Sequence, residues 1–239
     1  MAGQEVMRSS LFSHFISQLY RPRVCDFCLD FKDDDCTTKK CFGCRIVHYC
    51  NKDCQKKAWR SAHRKECSVF AKISSLFKEV GNIINEDEVF HIARIILKLK
   101  NGGSEEFERL PDGRHRYFKD LMSHRENFSN ELREEISIFW FICKTSLEEN
   151  DLNAPTETEL QEIFGKIKIN GNSLECFKNA FITYGTGLFL GASAIDHSWY
   201  LKKYCRNNTR LRVSLLAIFF VQGWILLPQL LNVFFDKLF

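Results

Sequence analysis

Between residues 25 and 67, seven cysteines and one histidine fall at intervals that suit metal chelation: Cys25-x2-Cys28, twelve residues, Cys41-x2-Cys44, then Cys50-x3-Cys54 and His63-x3-Cys67. Eight ligands make two tetrahedral sites. A thiolate pair two residues apart closes onto one ion through a tight knuckle, and a pair at i, i+4 projects from one face of a helical turn. The segment holds little apolar material with which to fold alone, so the binding energy of zinc, on the order of 10–16 kcal/mol per structural site, becomes folding energy. Four protein ligands per ion leave no open position for a reactive water, and the metal reads as structural. Cys36, inside the twelve-residue spacer, is the supernumerary thiol. His48, in "VHYC", reads as a surface residue outside the ligand set.

The rest of the composition sets bounds. A chain of 239 residues with 45% apolar content can bury a sizeable core. Eleven cysteines would suit a disulfide framework, yet the N-terminus lacks the uninterrupted apolar core and small-residue cleavage site of a secretory signal. A reducing compartment is the expectation, nucleus and/or cytoplasm. The net charge of +4 is uneven: from Thr37 to Cys67 nine Lys or Arg stand against two acids, Asp53 and Glu66. Those cations either neutralise phosphates of a nucleic acid or are solvated charge on a finger too small to bury them. The aromatic residues there are not interleaved in a way that suggests base stacking.

The string "CDFC…CFGCRIVHYCNKDCQKKAWRSAHRKEC" resembles a MYND-type zinc finger. The resemblance implies interleaved, cross-braced sites, one zinc on Cys25, Cys28, Cys50 and Cys54 and the other on Cys41, Cys44, His63 and Cys67. It also implies a protein-binding module, and some such fingers take short proline-rich peptides beside a Gln and a Trp at the spacing of Gln55 and Trp59. Packing of Trp59 on the zinc-bound helix is the alternative, and one Trp can do both.

Beyond the finger the pattern turns helical. Asn85 and Glu88 form a capping-box start and Asn101-Gly102-Gly103 a stop, with Val89, Ile92, Ala93, Ile96 and Leu97 or Leu99 as one apolar stripe beside His91. A second helix is expected over 130–147 and a third from Thr156, with loops at 101–113 and 148–156. Phe128, Phe139, Trp140 and Phe141 read as core, and Cys143 as a small buried hydrophobe. This order, followed by "ITYGTGLFLGASAIDHS", resembles the SET- and MYND-domain protein-lysine methyltransferases. The resemblance implies a mainly α chain: a MYND finger, then a helical insert and a fragment of a β-rich SET domain. The implied segments are a remnant of the first SET half at 1–24, the finger at 25–67, the insert at 68–169, a partial SET core at 170–198 and a divergent tail at 199–239.

The resemblance further implies S-adenosylmethionine as methyl donor, with Asn170, Asp196 and His197 as the cofactor-touching positions and histone tails or other proteins as partners. Departures fall on the catalytic parts. Asp196 stands where the family has Asn, replacing an amide with an acceptor-only carboxylate, and Trp199 replaces a Cys. The family's leading Gly-containing loop and its later catalytic Tyr strand have no counterpart here, so the expectation is an interaction module without the complete machinery. From Val213 to Phe235 there are 23 residues without a charge. As a helix of about 35 Å they would span a bilayer core of about 30 Å, with the bulk of the protein cytosolic; otherwise they are a substituted ending.

Overall fold

The computed structural model describes residues 5–32, 38–80, 85–176, 182–194, 201–205 and 210–215. Its organising element is a five-stranded sheet. Strand β1 (Glu5–Ile16) runs through the middle, and the two-residue strands β2 (Lys39–Lys40) and β3 (His48–Tyr49) form a hairpin within the finger. The finger helix α1 (Lys52–Ala58) passes through a π turn, Trp59–His63, into α2 (Arg64–Val80). Next come α3 (Glu86–Lys98), the hairpin β4 (Phe107–Arg109) and β5 (His115–Tyr117), α4 (Asn130–Glu148) and α5 (Glu157–Asn170). Strands β6 (Gly171–Cys176), β7 (Ile182–Phe189), β8 (Leu201–Cys205) and β9 (Arg210–Leu215) complete the sheet in the order β6-β7-β1-β9-β8, all antiparallel.

β1 changes partner halfway along. Its first half pairs with β9, from Glu5 opposite Ser214 to Ser10 opposite Arg210, and its second half with β7, from Leu11 opposite Phe189 to Ile16 opposite Gly185. Among the described residues, the two hairpins β6–β7 and β8–β9 are hydrogen-bonded into one sheet only through this strand.

Local chemistry explains the helices. Asn85 Oδ1 accepts from the Asp87 N–H, Ser129 caps α4, and Thr156 forms a reciprocal capping box with Glu159. After α3 the chain reverses at Gly102, whose φ of +93° favours glycine. The core runs from the finger across α2, α3, α4 and α5, and α3 is its axis: Val89 through Leu97 are all buried. Phe90 stacks on Phe15 of β1 at 5.1 Å and meets Phe70 of α2 edge-on at 5.2 Å.

His91 and Arg94 are the two polar side chains inside that buried run. His91 Nε2 has no hydrogen-bond partner. Burial, reinforced by the charges of His14 and Arg94, pushes His91 from 6.5 down to about 3. Between these values the unfolded chain binds a proton that the folded chain refuses. Protonation of His91 therefore costs no stability above pH 6.5, and below it stability falls by about 1.4 kcal/mol per pH unit. His91→Leu is expected to flatten the decline between pH 6.5 and 4 in urea titrations; an unchanged slope would show that His91 is charged, or solvated, in the folded chain.

Several expectations are corrected. Helices make up about half of the described residues, in keeping with the α-rich expectation, but a five-stranded sheet stands beside them, and the expected loop at 101–113 contains β4. Phe141 lies on the outer face of α4 and is 58% exposed, while Phe139 fills the core and Phe128 and Trp140 are partly buried against it. β8 and β9 lie inside the tail expected to be divergent, and both belong to the same sheet as β1. Val213, Ser214 and Leu215, which open the apolar run, are strand residues, as the alternation of "RLRVSL" suits. Among the described residues no helix is long and apolar enough to cross a membrane, and the run from 216 to 235 lies outside them.

Candidate metal centre

The eight spaced ligands converge in two groups. Cys25, Cys28, Cys50 and Cys54 form one and Cys41, Cys44, His63 and Cys67 the other, with the ligand atoms of each within 4.8 Å of one another. This is the interleaved arrangement that the resemblance implied. Zn–S bonds of about 2.3 Å in a tetrahedron separate sulfurs by about 3.8 Å. The structure places Cys28 and Cys50 Sγ 3.8 Å apart, Cys41 and Cys67 Sγ 3.8 Å apart, and His63 Nε2 3.6 Å from Cys44 Sγ. Both donor sets therefore fit zinc, closed and structural.

The finger's secondary structure aims these groups. Asn51 Oδ1 caps α1 by accepting from the Cys54 N–H at 2.9 Å, fixing Cys54 in the first turn. The π turn Trp59–His63 then intervenes before α2 presents Cys67, so one continuous helical segment serves both sites. Gly43 sits where a Cβ would come within 2.7 Å of Cys67 Sγ, so the knuckle "CFGC" admits only glycine there. Burial raises the Cys41 thiol, but the Cys44 N–H, the His63 ring and the Gly43 N–H outweigh it and bring Cys41 down to about 7, which favours the ligating thiolate.

Behind the ligands lies a charged cluster that the spacing did not foretell. His63 Nδ1 faces Glu66 Oε2 at 3.3 Å, the arrangement in which a carboxylate orients a ligating imidazole. Glu66 is held by Arg94, Nε to Oε1 at 3.0 Å and NH2 to Oε2 at 3.2 Å. The other edge of the same guanidinium grips Asp26 at 3.1 and 2.9 Å, inside the Cys25-x2-Cys28 knuckle, and NH1 also donates to the His14 carbonyl of β1 at 2.9 Å. Burial pushes the Asp26 carboxyl up, but Arg94 and His14 outweigh it and hold it below the usual carboxylate range. Glu66 is lowered in the same way, against its burial, by Arg94 and His63. Two features of the sequence could have found the cluster: Glu66 three residues after a ligand, and Arg94 as the one permanent cation within the otherwise apolar 89–97.

The other candidates are placed as follows. His48 is buried, with Nδ1 3.1 Å from Thr38 Oγ1, and its carbonyl accepts from the Asp26 N–H; the surface reading fails because β3 packs beneath the first knuckle. Gln55 is partly buried on α1. Trp59 is 42% exposed, meets His63 edge-on at 6.0 Å, and borders a cleft of about 740 Å³ between the finger and α3. Asn170 ends α5, and its amide donates to the Met122 and Lys166 carbonyls, both at 2.9 Å. Asp196, His197 and Cys36 lie outside the described residues.

A cross-braced finger with two four-ligand sites defines a structural zinc-finger protein. The MYND finger family matches residues 25–67. Human histone-lysine N-methyltransferase SMYD3 is 26% identical over 200 residues, covering 82% of this chain and 42% of that protein. Zebrafish N-lysine methyltransferase SMYD2-A is 25% identical over 196 residues, 82% of this chain and 41% of its own length. A SET and MYND domain-containing protein of Dictyostelium discoideum is 36% identical over 78 residues, 31% of this chain and 14% of its own. The chain is thus similar to SET- and MYND-domain proteins over most of its length and carries their MYND finger. It spans about two fifths of the length of the first two of these relatives.

Proposed function

We propose that the chain works as a zinc-dependent protein-interaction module of the SET and MYND family, binding partners through the finger. The supporting observation is Trp59, half-exposed at the mouth of a cleft of about 740 Å³ whose other wall is α3. A large aromatic held on a rigid helix, with open space beside it, gives a peptide an apolar anchor at little entropic cost. Proline-rich segments suit it because they arrive already extended. Among the described residues none of the nine finger cations pairs with an acid, which favours an anionic flank in the partner, protein or nucleic acid. Thiolate ligands persist in a reducing compartment, which supports the nucleus or cytoplasm as the location.

A second reading is protein-lysine methyl transfer from S-adenosylmethionine. It is favoured by relatives named as lysine methyltransferases that cover 82% of the chain. In it Asn170, with both amide protons donated to carbonyls, would offer the cofactor only its oxygen. One calorimetric experiment on zinc-loaded protein addresses both. Proline-rich peptide is expected to give saturable heat that Trp59→Ala weakens at least tenfold, and its absence at high micromolar peptide would sink the first reading. Titration with S-adenosylmethionine separates the second, which fails without detectable heat.

A further inference from the structure

We propose that Arg94 is a positioning residue for both zinc sites at once, so that the two ions bind and leave cooperatively. It lies on α3, outside the finger, yet its planar guanidinium has one edge on Asp26 and the other on Glu66. Asp26 sits inside the knuckle that carries Cys25 and Cys28. Glu66 touches the His63 ring and precedes Cys67. All three side chains are buried, with relative exposures of 6%, 8% and 4% for Arg94, Asp26 and Glu66.

The coupling follows from charge compensation. A buried guanidinium with two buried carboxylates is tolerable only while both stay in place. Zinc in the first site fixes the Cys25–Cys28 knuckle and with it Asp26; zinc in the second fixes His63 and through it Glu66. With one ion gone, its carboxylate is no longer held and Arg94 is left half-compensated in the core. The remaining site then loses the cation that oriented its own carboxylate. Binding at either site therefore favours binding at the other, and the linkage is reciprocal. Its reach extends to the sheet, since Arg94 also holds the His14 carbonyl of β1.

The test is the release of zinc to a chromogenic chelator from the full chain. Wild type is expected to give up both ions in a single phase. Arg94→Met is expected to release them at least tenfold faster and in two phases, one per site. Release at the wild-type rate in one phase would overturn the proposal. Arg21→Met is the control, because Arg21 is equally buried and ion-paired, to Asp87, but touches neither site. Equal acceleration in that variant would also overturn the proposal, since the effect would then be general loosening. Should Arg94→Met fail to fold, the triple variant Asp26→Asn, Glu66→Gln, Arg94→Met removes the stranded charges. Two-phase release is still expected from it, and single-phase release counts against the coupling.

Discussion

Replacing Cys44 with Ser is expected to reduce the zinc bound per chain from two to at most one in native mass spectrometry and to abolish the finger's cooperative melting. Cys44 is buried and its sulfur lies 3.6 Å from His63 Nε2. A hydroxyl is a poor ligand for zinc, and a structural site is worth about 10–16 kcal/mol of folding energy, as much as the whole of the about 5–15 kcal/mol by which a typical domain is stable. The finger's remaining buried residues, such as Ile46, Val47 and Tyr49, are too few to replace that sum. Full chelation should go further and remove the helical signal of α1 altogether. A Cys44→Ser protein that retained two zinc ions and the wild-type melting temperature would show that Cys44 is not a ligand.

Tyr184→Ala is expected to cost about 3–5 kcal/mol, the range for deleting a large buried aromatic. Tyr184 is wholly buried in a second, smaller core where β7 meets the first zinc knuckle, with Ile16, Val24, Leu29 and Phe31 around it. Its ring lies 5.9 Å from that of Phe31, and its hydroxyl donates to the Leu29 carbonyl at 3.4 Å. Removal opens a cavity beneath Cys25 and Cys28, so the loss should appear in urea denaturation and as weaker zinc retention. Tyr184→Phe keeps the ring and should cost less than about 1.5 kcal/mol. Equal losses in the two variants would shift the explanation from packing to the hydroxyl.

What the sequence disclosed depended on how local the cause was. The ligand spacing, the Asn85 and Thr156 caps and the Gly102 stop are each written within a few residues, and each has its counterpart in the structure. Arg94 was harder to read, because its two partners are 68 and 28 residues away and only the fold brings them together. His48 failed for the same reason: a histidine beside a ligand looks exposed until the packing of its own strand under the first knuckle is known. The opening of the apolar run leaves a spanning helix and a substituted ending both open, because an uncharged stretch carries no period; its pairing with β1 is set by residues some two hundred positions earlier.

That last pairing has a consequence for how the molecule comes into being. β1 leaves the ribosome before the finger and the helices, yet its partners are β7 and β9, with Glu5 opposite Ser214. Contacts within the finger and among the helices span far fewer residues, and short loops close sooner. The metal-bound finger and the helices therefore form while β1 still has two unpaired edges, the condition in which strands attract the wrong neighbours. Zinc loading during synthesis, by anchoring the chain immediately after β1, shortens the search that this strand must make once its partners emerge.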